Sequence, residues 1–333
     1  MTETCQLMEQ LPAIIDYPNG ISVIDARYHR PGRAAIHLIT EGDKAALVDT
    51  GTRFSVPGTM AALAHKQITP EQIDYIFLTH IHLDHAGGAS EFMKWLPNAR
   101  LVVHPRGASH MANPIKLIAG VMAVYGESEF RRIYGEIHPI AAERIIEAPD
   151  NTLVELNGRP LRLLDTPGHA RHHYCIHDAR SKSIFTGDTF GVSYREFDMD
   201  GLEFVFPTTS PVQFDPEAAH ASIDRLMALH PEQAFLTHYG RIRNLSYHAS
   251  QMHALIDAFV SIVQQAAEIQ DRQPIITKAL QDLLLERLAA HRCTLTRDAA
   301  LSLLQTDIKL NAQGLEIWLE QTIRQSTQAA GSS

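Results

Sequence analysis

Three cysteines in 333 residues, Cys5, Cys175 and Cys293, are too scattered and odd in number for a disulfide framework. No apolar run approaches the length that crosses a bilayer, which argues against a membrane-spanning helix and a membrane partner. There is no block of Lys and Arg, and 38 acidic against 29 basic residues leave a formal charge of -9. Gripping a phosphate backbone takes a basic face, so nucleic acid is set aside as a substrate. The opening Met1-Thr2-Glu3-Thr4-Cys5 has neither a basic start nor an apolar signal core, and the expected location is the cytoplasm. G-x-S-x-G is missing as well, so a serine-nucleophile elbow of that kind is not available. What remains is ordinary for a soluble globular chain, with 45% hydrophobic and 20% charged residues. The length allows one large domain, or one domain with an appendage.

Against that plain background stands Thr79-His80-Ile81-His82-Leu83-Asp84-His85. Three imidazoles and a carboxylate follow directly on the apolar segment Tyr75-Ile76-Phe77-Leu78. If a strand ends near Thr79, the chain turns at the motif and side chains two apart converge. Nitrogen and oxygen donors of this kind suit zinc, iron or manganese. Three further apolar segments each end in a ligand-type residue. Leu161-Arg162-Leu163-Leu164-Asp165 leads to Thr166-Pro167-Gly168-His169, Ser183-Ile184-Phe185-Thr186 to Gly187-Asp188, and Gln233-Ala234-Phe235-Leu236-Thr237 to His238-Tyr239-Gly240. A single His or Asp after a strand is usually a turn residue. Four in series are not explained that way.

In these residues the chain resembles the metallo-β-lactamase superfamily, whose hallmark is H-x-H-x-D-H followed by a glycine-preceded His, an Asp after a strand and a last His. The resemblance covers roughly residues 20–240. It implies an α/β fold, a four-layer αββα sandwich, here with a C-terminal helical appendage. It also implies two divalent ions, zinc first with iron or manganese as alternatives. His80, His82 and His169 would hold one ion, Asp84, His85 and His238 the other, and Asp188 would bridge them. Asp84 would double as a proton acceptor. Asp49, in Asp49-Thr50-Gly51, would orient a ligand histidine. True β-lactamases carry Cys where Asp188 stands, and flavin-partnered di-iron members carry Glu where His82 stands, so neither activity is expected. Lactonases place a Tyr close after the bridging Asp, whereas this chain has Thr189-Phe190-Gly191.

Along the chain, strands are expected at 22–26, 35–39, 45–49 and 101–105, the last stopped by Pro105, with a hairpin turn at Glu41-Gly42-Asp43 and a helix over 60–67. His173-Tyr174-Cys175-Ile176 reads as a strand with His172 and His173 behind the ligands. Residues 106–139 form an apolar insertion bearing Tyr125 and Tyr134, where a substrate wall is expected. After Tyr239 the apolar spacing turns helical, through Met252, Leu255, Ile256, Phe259 and Val260. A helix beginning near Pro274 carries Leu280, Leu283, Leu284 and Leu288, and a last one, capped by Asn311, carries Leu315, Trp318, Leu319 and Ile323. The domains so drawn are a metal-binding catalytic domain at 1–244 and a helical extension at 245–333, with a disordered tail from Ala329. The helical segments offer a surface for a homodimer.

The expected reaction is hydrolysis of a small ester, thioester or lactone by hydroxide held between two ions, which also polarise the carbonyl. Arg171, Tyr194 and Arg195 are candidates for holding the small-molecule substrate, and Phe190, Phe206 and Tyr194 for an acyl pocket. The rival reading is a mononuclear-iron sulfur (persulfide) dioxygenase, or a non-hydrolytic metal-binding member.

Overall fold

The computed structural model describes residues 11–209 and 211–331, leaving aside the side chains of Val124, Tyr125 and 329–331. The chain falls into two compact units. One comprises Met1–Asp165, His172–Gly187 and Pro231–Ile242; the other comprises Thr166–Arg171, Asp188–His230 and Arg243–Ser333.

The first unit holds two mixed sheets with flanking helices. Sheet one runs β1 (Ile14–Tyr17), β2 (Ile21–Asp25), β3 (Ala35–Glu41), β4 (Lys44–Val48), β5 (Ile73–Phe77), β6 (Arg100–Val103) and β7 (Ile145–Glu147) in spatial order. Pairing is antiparallel as far as β4 and parallel from β4 onward. Both faces are covered, so its strands read as continuous apolar runs. In β3 and β4, Ile36, Leu38, Ala45 and Leu47 point to one side. They pack with Val56, Ala62 and Leu63 of α1 (Val56–His65) and with Phe92. Ala35, Ile39, Ala46 and Val48 point to the other side and meet the second sheet. That sheet is ordered β13 (Gly240–Ile242), β12 (Gln233–Leu236), β11 (Ser183–Gly187), β10 (Tyr174–Asp178), β9 (Arg159–Asp165) and β8 (Leu153–Leu156). Leu161, Leu163, Tyr174, Ile176, Phe185 and Phe235 supply its share of the inter-sheet core. His37 lies in this core between Phe185 and Phe235, and burial lowers its pKa to about 4, so it stays neutral.

Strand direction then decides where polar residues gather. Parallel pairing of β4, β5 and β6 puts their C-terminal ends at one edge, and parallel pairing of β11 with β12 does the same in sheet two. β9 is antiparallel to β10, itself antiparallel to β11, so β9 also ends at that edge. Next come the single turn α2 (Leu83–Ala86), α3 (Ala89–Trp95), α4 (Pro105–Ala112), α5 (Ile115–Tyr125) and α6 (Glu127–Tyr134). Pro105 therefore opens a helix as well as ending a strand, and His104 is its N-cap, accepting from the Arg106 amide at 3.0 Å. In the 106–139 insertion, Phe130, Tyr134 and Ile137 bury themselves against Leu83. Tyr134 is thus packing, its hydroxyl 3.4 Å from that of Tyr28. The Tyr125 side chain lies outside the described residues.

The second unit contains α7 (Pro216–Met227), α8 (Leu245–Gln265), α9 (Gln273–Ala290) and α10 (Arg297–Gly331). Ile276, Leu280, Leu284 and Leu288 of α9 recur every fourth residue and are all buried. Asn311 is a correction to the sequence reading. It sits inside α10, fully buried, and caps nothing. Its Oδ1 accepts from the Thr209 amide at 2.6 Å, and its Nδ2 donates to Pro207 O at 3.1 Å. A buried amide that satisfies backbone groups in another segment looks like a cap residue from sequence alone. α10 runs to Gly331. Ser332 and Ser333 lie outside the described residues. Tyr194, Phe197, Phe204 and Phe206 form one buried aromatic cluster, with Phe190 equally buried, so the expected acyl pocket is core.

One buried arginine ties the two sheets together. Arg159, which opens β9 and is 1% exposed, forks onto Asp178 of β10. It also donates to Asn19 O at 2.7 Å, in the turn between β1 and β2, and to Thr40 O at 3.3 Å, in β3 of sheet one. Arg159→Ala would leave the Asp178 carboxylate buried and short of its main donor, at a cost of roughly 3–5 kcal/mol. Urea titration of the variant should show a lower midpoint with an unchanged slope. A loss below about 1 kcal/mol would remove Arg159 as the tie between sheets.

Candidate metal centre

Asp49 follows β4 directly and adopts φ 60°, a left-handed conformation that Asp tolerates better than most residues. That bend turns its carboxylate inward, where it is fully buried and richly bonded. Oδ1 accepts the Thr79 amide at 2.8 Å, and both oxygens lie about 3 Å from Thr79 Oγ1, at 3.0 and 2.9 Å. Oδ2 also accepts from Thr237 Oγ1 at 2.7 Å and from His85 Nδ1 at 2.8 Å. One carboxylate thereby positions the residues just before His80 and His238, and His85 itself. Thr79 and Thr237 were not singled out in the sequence. Their signal is a repeated Thr-His pair after an apolar strand.

Within the same unit, Asp84, His85 and His238 offer ligand atoms that all lie within 4.8 Å of one another. His238 Nε2 is 3.2 Å from Asp84 Oδ2, and His85 Nε2 is 3.8 Å from it. His80 Nε2 stands 2.9 Å from His82 Nδ1. His173 packs on His80 with centroids 5.0 Å apart, and the His172 ring edge reaches the Ile81 amide. His104 and Asp165, each at a strand end of this edge, bond to each other at 3.2 Å, linking β6 to β9.

In the other unit, His169 Nε2 lies 3.3 Å from Asp188 Oδ2, and His169 Nδ1 lies 3.2 Å from Thr208 O. Two glycines make these placements possible. Gly187, bonded to Asp188, has φ 48°, and a Cβ there would sit 2.6 Å from both His173 Nε2 and Thr79 Oγ1. Gly168, before His169, has φ 134° and would collide with the Ala219 backbone at 2.5 Å.

The hydrogen bonds fix the ring orientations. Asp49 Oδ2, Arg33 O and Thr208 O can only accept, so Nδ1 of His85, His238 and His169 is the donor in each bond. Nε2 is the nitrogen turned the other way. In His238 and His169 it faces a carboxylate oxygen, of Asp84 and Asp188 respectively. Anchoring one ring nitrogen so that the other presents a lone pair is how proteins prepare histidine for metals. The donor set fits divalent ions.

The substrate candidates have other employment. The Tyr194 hydroxyl donates to Asp307 Oδ2 at 3.0 Å, fastening α10. Arg195 pairs with Asp198 at 3.3 Å, and burial raises the Asp198 pKa to about 6. Arg171 is exposed, with its backbone amide on Gln213 Oε1 at 2.8 Å. Cys175 and Cys293 form no disulfide among the described residues, and Cys5 lies outside them.

A family profile described as the metallo-beta-lactamase superfamily matches residues 29–238. The metallo-beta-lactamase fold-containing protein ST1585 of Sulfurisphaera tokodaii is 30% identical over 188 residues, covering 55% of this chain and 67% of the relative. Its crystal structure superposes with a TM-score of 0.60 at 23% identity, over 90% of this chain and 99% of the other, which shows the shared fold. The human acyl-coenzyme A thioesterase MBLAC2 is 26% identical over 51% of this chain and 63% of its own length. The atrochrysone carboxyl ACP thioesterase of Aspergillus fumigatus is 28% identical over 46% of this chain and 38% of its own. The matched region is thus under two thirds of either thioesterase.

Asp49→Asn keeps the shape of this centre but weakens the anchor that fixes His85. Metal affinity should fall about 10- to 100-fold while the far-ultraviolet circular dichroism is unchanged. Competition with a chelating dye measures this; affinity equal to the parent's would mean that the carboxylate does not govern the ligand.

Proposed function

The chain belongs to the metallo-beta-lactamase superfamily, and we propose that within it the protein is a binuclear metal-dependent hydrolase of small acyl thioesters. The observation that carries the reading is the set of imidazoles anchored through Nδ1 with Nε2 turned toward carboxylates, and Asp188 stands where the resemblance puts Cys in the lactamases. The ligand assignment is the one implied by the motif. His80, His82 and His169 would hold one ion and Asp84, His85 and His238 the other, with Asp188 contributing to both. Zinc suits this mixture of nitrogen and oxygen donors. When bound, such ions supply the charge that acidifies water and polarises a carbonyl.

The chain's own residues do the rest. Asp84 is the half-buried member of its group, with one oxygen toward His238 and the carboxylate open enough to take up the proton released in the attack. Asp49 keeps His85 from rotating, and the Arg33 and Thr208 carbonyls do the same for His238 and His169. No further reorganisation is then needed at the moment of reaction. Phe190, two residues after Asp188, is buried and brings no hydroxyl to protonate a leaving alkoxide. A thiolate, with a pKa near ~8.5, leaves without that help. This chemistry favours thioesters over oxyesters and lactones. The two relatives named as thioesterases support the same choice.

Protein purified without chelator should contain about two metal ions per chain by elemental analysis. Against matched acyl thioesters and oxyesters, kcat/KM should favour the thioester by at least about tenfold, or ~1.4 kcal/mol in transition-state terms. Asp188→Asn should fold, yet lose metal and most activity. One iron per chain, oxygen uptake and no hydrolysis would replace this reading with a sulfur dioxygenase.

A further inference from the structure

The same electrostatic pattern recurs outside the motif. α7 carries His220 and Asp224, and α8 carries His253 and Asp257, each pair one helical turn apart on one face. The two imidazoles stack with centroids 4.9 Å apart and planes 12° from parallel. Each histidine reaches the carboxylate on the opposite helix: His220 Nε2 to Asp257 Oδ1 at 3.0 Å, and His253 Nε2 to Asp224 Oδ1 at 3.2 Å. A carboxylate accepts, so both Nε2 atoms carry hydrogen. That leaves the two Nδ1 atoms directed at each other 2.6 Å apart. Such a contact requires positive charge between the rings, supplied by one shared proton or by a metal ion, and two carboxylates already stand behind them to neutralise it.

We propose that His220 and His253 hold a divalent ion of the zinc class through their Nδ1 atoms, as a clip between α7 and α8 separate from the motif histidines. Asp224 and Asp257 act behind the ligands, fixing ring orientation and raising the basicity of the coordinating nitrogens. A zinc–nitrogen length of about 2.0–2.1 Å and tetrahedral geometry place two nitrogens roughly 3.4 Å apart. The rings therefore open by about 0.8 Å to admit the ion, a small rotation for side chains that are 28% and 29% exposed. Water completes the coordination from the solvent side. With only two protein ligands, the clip binds more weakly than a four-ligand structural zinc.

Its place in the unit gives it a role. α7 is the helix on which the His169 segment is seated. Ser222 Oγ donates to Pro167 O at 2.6 Å, the Asp215 amide donates to Gly168 O at 2.8 Å, and Ala219 leaves no space for a Cβ on Gly168. An ion joining α7 to α8 stiffens the support under that ligand.

The test uses the full chain as purified, with its tightly held metal in place, titrated with Zn(II) by calorimetry and checked by equilibrium dialysis with elemental analysis. The parent should take up one equivalent more than His220→Ala or His253→Ala, and added zinc should raise the melting temperature of the parent alone. Asp257→Asn should weaken the uptake about 10- to 100-fold. Equal uptake and equal thermal shift in parent and variants would overturn the proposal. A parent that takes no additional zinc would overturn it without recourse to any variant.

Discussion

A single buried carboxylate sets the terms for the metal centre. Taking the Asp49 carboxylate out of water costs several kcal/mol unless hydrogen bonds replace those it gives up. The replacements come from three separate stretches of chain: the amide and hydroxyl of Thr79, the ring of His85 and the hydroxyl of Thr237. Those three stretches must therefore arrive at one point, and their arrival puts His80, His85 and His238 at the same edge of the first unit. The centre is a by-product of solving the solvation of Asp49.

The anchors differ in kind, and the difference grades the ligands. His85 leans on a carboxylate, whereas His238 and His169 lean on the neutral carbonyls of Arg33 and Thr208. A negative partner pushes more electron density to the far ring nitrogen than a carbonyl does. His85 is thus the ring whose far nitrogen is most electron-rich of the three.

Much of this was legible in the chain because each ligand directly follows an apolar strand, where sequence position and spatial position nearly coincide. The matched family, the two mixed sheets with flanking helices and the C-terminal helices all agree with the reading from H-x-H-x-D-H. The anchors were harder to read. Arg33 O and Thr208 O are backbone atoms, and any residue type would provide them. The short strands β1, β7, β8 and β13 were passed over because three or four residues carry too little pattern to distinguish strand from turn. Asn311 misled because a buried amide and a helix cap are the same side chain doing the same chemistry in different surroundings. His220 and His253 drew no notice for the opposite reason, since spaced His and Asp on an amphipathic helix look like a solvated face.

The chain enters each compact unit more than once, and the first is closed only by Pro231–Ile242. This has a consequence on the ribosome. Thr237 is made 188 residues after the Asp49 it must bond. At a synthesis rate of about 5–20 residues per second, Asp49 and its neighbouring strands wait on the order of 10–40 s for that partner. During that interval β4 and β5 can pair, but the hydroxyl from beyond β12 is missing, and so is the strand that fills sheet two. Apolar edges made early stay open to solvent and to chaperones until nearly three quarters of the chain has emerged. The nascent protein is thus most vulnerable to misassociation while its future metal site is half built.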